Sequence, residues 1–181
     1  MILAGGTAAR LGGADKASLE YAGRTFLEHA LTAVASAGEV VVVGDGVPTS
    51  RPVTFVREDP PLGGPVAGLL AGRRALARPV DVLVVLAVDM PRVLAATVHR
   101  LTEALADTLT DHDGAVLVDA DGRRQLVMAV RADRLDAVAP PDPHGHSVRD
   151  LLAPLDVVAV PAIGDEARGV DRWEDLRELG R

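Results

Sequence analysis

The chain contains no cysteine, so neither disulfides nor thiolate metal sites contribute to its stability or chemistry. Aromatic residues make up only 2% of its 181 positions, against 48% hydrophobic residues in all. Its core must therefore be built from Val, Leu and Ala, which fits strands covered on both faces better than an aromatic-rich sandwich. No apolar run reaches the length of a membrane span, and no basic segment followed by a long apolar stretch opens the chain. The formal charge is −7 and no basic run stands out, which argues against a general nucleic-acid or anionic-membrane surface. A cytoplasmic protein folded as one domain over residues 1–181 is expected.

Two further scarcities are informative. Asparagine is absent, Gln125 is the single glutamine, and among 19 basic residues other than His only Lys16 is lysine. Residues with AT-rich codons are depleted throughout, as a GC-rich genome would do. A lysine that persists in that background marks a place where a compact charge on a flexible stem is needed and the planar fork of arginine does not serve.

What is present alternates short apolar runs with amphipathic segments. Strands are expected at Met1–Leu3, Val40–Val43, Val53–Val56, Val80–Val88 and Val157–Val160. Helices are expected from a Thr25/Glu28 capping box to Gly38, over Pro65–Ala77, over Val93–Ala106, after Ser147, and over Arg172–Leu179. Ala115–Val118 and Gln125–Val130 flank Asp119–Gly122 and read as a hairpin-like pair. This order predicts a mostly parallel sheet with helices on both faces and a small antiparallel insertion. Ligands of such sheets bind at the C-terminal strand ends.

The loop after the first strand runs Leu3-Ala4-Gly5-Gly6-Thr7-Ala8-Ala9-Arg10-Leu11-Gly12-Gly13-Ala14-Asp15-Lys16. Its glycines allow a tight turn and close backbone approach, so successive amides can form a nest for anionic oxygens. Arg10 and Lys16 add two full charges, a density of donors suited to a triphosphate. A Walker loop would need Ser or Thr after the lysine, where Ala17 stands, and the spacing of a dinucleotide fingerprint is absent. Asp89 follows the strongest strand, in Val88-Asp89-Met90-Pro91. A carboxylate there can hold Mg²⁺, which shields the negative charge that gathers as pyrophosphate departs.

The run from Leu3 to Lys16 resembles the Leu-Ala-Gly-Gly-x-x-x-Arg-x-Gly-Gly-x-Asp-Lys signature of molybdenum cofactor guanylyltransferases. Similar motifs recur to the C-terminus. The resemblance implies a Rossmann-like three-layer α/β/α sandwich of the nucleotide-diphospho-sugar transferase type. It implies transfer of GMP from GTP to the phosphate of molybdopterin carrying molybdenum, with Mg²⁺ as cofactor. Leu3, Ala4, Gly5 and Gly6 would contact the nucleotide, Arg10 and Lys16 its phosphates, and Asp89 the metal. Arg57 to Leu69 resembles the family's Asp-x-x-x-x-Gly-Pro-Leu-Ala-Gly segment, in which Asp59 would bind the nucleotide, at base or ribose. An acidic side chain suits the donor edge of guanine. The family's nucleotide-contacting Asn after the second strand has no equivalent, with Gly44-Asp45 at that place.

On the acceptor side, Asp171 has two readings, a cap of the last helix in a capping box with Glu174 or a metal and acceptor residue. Gln125, in Arg123-Arg124-Gln125, resembles the family's Arg-x-Gln-Pro segment with Leu126 replacing proline. Arg149, with His144 and His146, is a candidate for the acceptor phosphate, although loop histidines are more often bystanders. Two alternatives remain, a transferase using CTP or another phosphorylated acceptor, and a non-catalytic nucleotide-binding protein. Protein partners in cofactor delivery are not legible in the residues.

Overall fold

The structure is a computed structural model, described over residues 1–5, 15–106 and 111–179. Its strands are β1 (Ile2–Leu3), β2 (Glu20–Tyr21), β3 (Arg24–Thr25), β4 (Val41–Val43), β5 (Thr54–Val56), β6 (Val82–Ala87), β7 (Gly114–Val118), β8 (Arg124–Arg131) and β9 (Val157–Pro161). The helices are α1 (Phe26–Ala33), α2 (Pro65–Arg74), α3 (Ala95–Ala106), α4 (Ala132–Val138), α5 (Val148–Leu152) and α6 (Trp173–Leu179). No helix among the described residues is long and apolar enough to cross a membrane.

Seven strands form one sheet in the order β5-β4-β1-β6-β8-β7-β9. Strand β8 alone runs against the others, pairing antiparallel with both β6 and β7, while β7 pairs parallel with β9. Successive strand residues alternate between two cores, as the pleat requires. Ile2, Val42, Val127 and Ala129 face a cluster completed by α1, α3 and α6, including Phe26, Leu27, Leu101 and Leu179. Leu3, Val43, Met128 and Val130 face the opposite cluster with α2, α4 and α5, including Leu69, Leu135 and Leu152. The three-layer α/β/α arrangement expected from the sequence is thus the observed one.

The differences are local. The antiparallel pair expected near 115–130 is present as β7 and β8, within the main sheet between β6 and β9. A second antiparallel pair, β2 with β3, has no counterpart in the sequence expectation. Its turn uses Ala22 and Gly23, both at positive φ (49° and 76°), and Ala-Gly lacks the Asn or Asp that usually announces such a turn. Thr25 caps α1 as expected, accepting from the Glu28 N–H at 3.2 Å. Glu28 does not complete the capping box: its carboxylate accepts from the Ser50 N–H (2.8 Å) and hydroxyl (2.5 Å), tying α1 to the loop before β5.

Helix α2 lies close on β1 and β4 because it carries glycines facing the sheet. A Cβ at Gly72 would meet Met1 Sδ at 2.7 Å and Val43 Cγ2 at 2.8 Å, whereas one at Gly68 finds nothing nearer than Val43 Cγ1 at 3.4 Å. Val43 is β-branched and fixed in a central strand, so it cannot yield. Gly72→Ala is expected to cost about 1–3 kcal/mol from overpacking. Gly68→Ala should be neutral or stabilising by up to about 1 kcal/mol through helix propensity. Urea unfolding of both variants distinguishes the two sites.

One charged side chain is buried beneath the second half of the sheet. Glu166, 6% exposed, accepts from Thr97 Oγ1 (2.5 Å), the Ile163 N–H (2.7 Å) and the Arg100 guanidinium. Burial alone would raise its carboxyl pKa, but these hydrogen bonds and the Arg100 charge hold it below the ordinary 4.5. A depressed carboxylate contributes stability that is complete above about 4.5 and is lost as pH falls through the folded value. Unfolding followed from pH 6 downward should show a steeper loss in the native protein than in Glu166→Gln, which has no charge to titrate.

Candidate active site

Lys16 sits at the start of a short 3-10 turn, Lys16–Ser18, and Asp15 holds that turn in place. The Asp15 carboxylate accepts from the Ala17 N–H at 3.1 Å and from Ser18 Oγ at 2.6 Å, while Ala17 is buried in the α1/α3 core. With its backbone so fixed, Lys16 extends over the C-terminal edge of the sheet. Its ammonium donates to Asp89 Oδ2 at 2.7 Å and to Asp171 Oδ1 at 3.0 Å.

The two carboxylates are far apart in sequence and converge for identifiable reasons. The Val88 N–H continues the β1–β6 ladder by donating to the Leu3 carbonyl at 3.0 Å, which places Asp89 directly past the strand end. Val170 is fully buried and its N–H donates to the Asp89 carbonyl at 2.9 Å. Asp171, the next residue, is thereby brought beside Asp89. Burial opposes the charge on Lys16, but the hydrogen bonds and charges of Asp89 and then Asp171 outweigh it, raising its pKa above the ordinary 10.5. At neutral pH the site holds a permanent cation between two anions.

Of the two readings of Asp171, the cap is not the observed one. The reach-back at the start of α6 is made by Asp175, whose Oδ2 accepts from the Asp171 N–H (2.9 Å) and the Arg172 N–H (2.8 Å). These two bonds hold the Asp175 carboxyl below its usual range. The Asp171–Glu174 capping box does not form, and the Asp171 side chain is turned instead to Lys16.

The remaining sequence candidates are distributed unevenly. Leu3 and Ala4 are buried in opposite cores, so their side chains are unavailable and only backbone reaches the edge there, followed by the exposed Gly5. Gly6 and Arg10 lie outside the described residues. Asp59 is exposed beyond the end of β5, on the same sheet edge but not among the contacts of Lys16. An ion pair of Asp45 with Arg57 links the loops after β4 and β5.

Gln125 and Arg149 line one cavity of about 900 Å³ on the α2/α5 side of the sheet. Gln125 is partly committed, donating to Asp119 Oδ2 at 3.1 Å, and Asp119 Oδ1 also accepts from the Asp121 and Arg123 N–H groups. His144 packs against Gly63, where a Cβ would lie 2.9 Å from its Cε1, and the Gly145 N–H donates to the Gly63 carbonyl at 3.0 Å. The loop carrying His144 therefore docks on the loop that opens α2.

Three positioning residues escape a reading of the sequence alone: Asp15, Val170 and Asp119. Asp15 has a local signal, since an acid two and three residues before an amide and a serine is a turn-capping pattern. Val170 has none, because its role depends on a bond to a residue 81 positions earlier.

The fit of a divalent cation can be judged from these donors. Among the described residues no group of three or more His, Asp or Glu side chains forms a metal cage. Asp89 and Asp171 nevertheless share one cation position, which the Lys16 ammonium marks within 3.0 Å of both. Mg²⁺ is commonly held by one or two carboxylates together with waters and substrate phosphates, so this donor set fits a phosphate-bridged metal rather than a resident one.

Known proteins resemble the chain at two levels. A molybdenum cofactor guanylyltransferase of Acidiphilium cryptum (strain JF-5) is 42% identical over 101 residues, covering 50% of this chain and 50% of that protein. The match thus spans about half the length of the curated relative. Rv0371c from Mycobacterium tuberculosis H37Rv superposes with a TM-score of 0.76 at 23% identity, over 98% of this chain and 94% of that one. The same protein, solved in complex with manganese, gives a TM-score of 0.71 at 21% identity, over 99% and 95%. The 2-C-methyl-D-erythritol 4-phosphate cytidylyltransferase of Thermus thermophilus gives 0.70 at 21% identity, over 99% and 95%. At these identities the structures establish the shared fold. The profile of the MobA-like NTP transferase domain matches residues 1–159, most of the sheet and the Lys16–Asp89 pair included, and the chain belongs to that family.

Proposed function

We propose that the protein transfers the guanylyl group of GTP to the phosphate of molybdopterin, forming the guanine dinucleotide cofactor. The observation that carries this reading is the convergence of Lys16, Asp89 and Asp171 on one point at the end of the glycine loop. The guanylyltransferase relative supports the choice of nucleotide and acceptor.

In the proposed reaction a phosphate oxygen of the acceptor attacks the α-phosphorus of GTP. A new P–O bond forms, the bond to the bridging oxygen breaks, and pyrophosphate leaves with the electron pair. The acceptor phosphate is already a nucleophilic anion, so no general base is required. Backbone at Ala4 and Gly5 binds the triphosphate, with Gly6 and Arg10 assisting, while Asp59 binds the base or ribose. The Lys16 ammonium, permanently charged, neutralises the phosphates. Asp89 and Asp171 would hold a divalent cation, taken to be Mg²⁺, which supplies charge stabilisation at the α-phosphate and leaving group. The manganese complex of a protein with the same fold is consistent with divalent chemistry there. The protein is taken to work in the cytoplasm on small molecules, without nucleic acid or membrane.

Incubation with loaded molybdopterin and a panel of GTP, CTP, ATP and UTP tests the assignment. Pyrophosphate release with GTP, and a product heavier by one GMP, is the expected outcome. Release with CTP alone would move the protein to cytidylyl transfer, and no release with any triphosphate would remove the enzyme reading.

Substitutions separate the roles. Asp89→Asn is expected to lower kcat/KM by about 10²–10³-fold through loss of charge at the metal. Lys16→Arg should also lower it, about 10²-fold, because a wide planar fork does not reproduce the compact point charge of the ammonium at the phosphates. Asp171→Asn should reduce activity and raise the metal concentration needed for half-maximal rate. It should change unfolding stability by less than about 1 kcal/mol, since the pair is exposed and the carboxylate caps nothing. A stability loss well above that, with unchanged metal dependence, would return Asp171 to a structural role.

A further inference from the structure

Arg92 follows Asp89 by three residues and sits inside the turn that the Val93 N–H closes on the Met90 carbonyl at 3.1 Å. Its guanidinium makes three contacts. Nη1 donates to Asp165 Oδ2 at 2.9 Å, Nη2 donates to the Leu179 carbonyl at 2.7 Å, and Cζ lies 5.8 Å from the centroid of the Tyr21 ring. The Tyr21 hydroxyl donates to the same Leu179 carbonyl at 3.2 Å, so cation, ring and carbonyl close one cluster. Tyr21 is itself fixed to α1, because His29 Nε2 donates to its carbonyl at 2.8 Å.

The partners come from different parts of the chain. Tyr21 belongs to the segment that begins with the Lys16 turn. Asp165 lies in the segment leading to the buried Val170 and to Asp171, and Leu179 ends the helix α6 that Asp171 precedes. Arg92 itself continues from Asp89. One side chain therefore joins the three segments that carry Lys16, Asp89 and Asp171, while its own bonds among the described residues go to none of those three side chains.

The arrangement needs arginine. A planar fork offers separate N–H groups to a carboxylate and a carbonyl while its face meets a ring, which the point charge of lysine cannot do at once. A cation is also favoured at the last carbonyls of a helix. Stability alone does not account for it: Arg92 Nε is buried with no acceptor among the described residues, and an orphaned donor is destabilising. Glu166 anchors the same C-terminal segment on α3, but its bonds go to Thr97, Arg100 and Ile163 and not to the Lys16 segment.

We propose that Arg92 is the positioning residue of the reactive centre. Its guanidinium clasps the three segments so that the Lys16 ammonium meets Asp89 and Asp171 at one point. Without it the two carboxylates no longer share a cation position. The effect on catalysis rests on the transferase reading, whereas the geometry can be followed without turnover.

Lys16 is the only lysine in the chain, so protein grown on isotope-labelled lysine gives one side-chain signal by NMR. In the native protein that signal should stand apart from that of free lysine, with its two ε-protons resolved. Arg92→Leu should return it to the free, averaged position in a protein that still unfolds cooperatively in urea. Tyr21→Leu and Asp165→Asn each remove one arm of the clasp and should move it part of the way. Arg73→Leu, which breaks the paired hydrogen bonds to Asp136 on α4, should leave it unchanged. An unmoved Lys16 signal in folded Arg92→Leu overturns the proposal. If Arg92→Leu does not fold, an unmoved signal in both single-arm variants overturns it instead. An equal displacement in Arg73→Leu also overturns it, since general loosening then explains the change.

Pyrophosphate release reads the catalytic consequence separately. Arg92→Leu should lower kcat about 10²-fold, the scale of a misplaced reacting group, with the GTP KM within about threefold of native. It should also raise the Mg²⁺ concentration needed for half-maximal rate. Arg92→Lys, which keeps the charge without the fork, should recover less than about a tenth of the native kcat. Native kcat in Arg92→Leu, or full recovery by lysine, overturns the positioning role. No release by the native protein, with the Lys16 signal displaced in Arg92→Leu, removes the transferase reading and keeps the clasp.

Discussion

The arrangement of this protein's reactive edge depends on one ammonium held between two carboxylates. Lys16 belongs to the first loop, Asp89 to the end of the fourth strand of the main sheet in chain order, and Asp171 to the segment before the last helix. Without the lysine, two acidic groups would face each other at partial exposure, and their repulsion would have to be met by solvent or metal. Without the buried Val170 and its backbone bond to Asp89, Asp171 would have no reason to be there. The contact is therefore both an electrostatic balance and a non-covalent tie between residues 155 positions apart.

The sequence made the fold legible because its signals are periodic and local. Val82–Ala87 and Ala95–Ala106 show strand and helix character in windows of a few residues, and Pro65 and Thr25 announce helix starts by known backbone chemistry. What escaped was non-local or chemically unmarked. The β2–β3 turn uses Ala22-Gly23 without the usual Asn or Asp, and Glu28 leaves its capping box for Ser50, 22 residues away. For the site, Lys16 and Asp89 are visible as residues of the right chemistry after strands. Their pairing, and the choice of Asp175 over Asp171 as the helix cap, depend on distances that no spacing rule encodes. Glu166 illustrates the same point: an acid in a polar C-terminal segment becomes a buried hub only once Thr97 and Arg100 are folded over it.

Electrostatics divide the molecule into specialised regions. A chain of formal charge −7 repels polyanions in general, yet it keeps Lys16 at the reactive edge and three arginines around the cavity beside α5. The first is neutralised internally by Asp89 and Asp171, while the second has no acidic residue in its lining. A phosphorylated ligand arriving at this edge meets attraction only where the fold has placed it, against a background that discourages nonspecific contact.

Within the seven-stranded sheet β8 alone runs against its neighbours, and so it delivers its beginning, not its end, to the edge where the others finish. That reversal inserts a hairpin turn among the strand-to-helix loops. Such a turn is held by its own Asp119 rather than by the glycine loop or by Asp89. Changes in its length or residues leave the β1–β6 framework untouched. Within this architecture the β7–β8 turn is set apart from the Lys16–Asp89 pair, each held by its own hydrogen bonds.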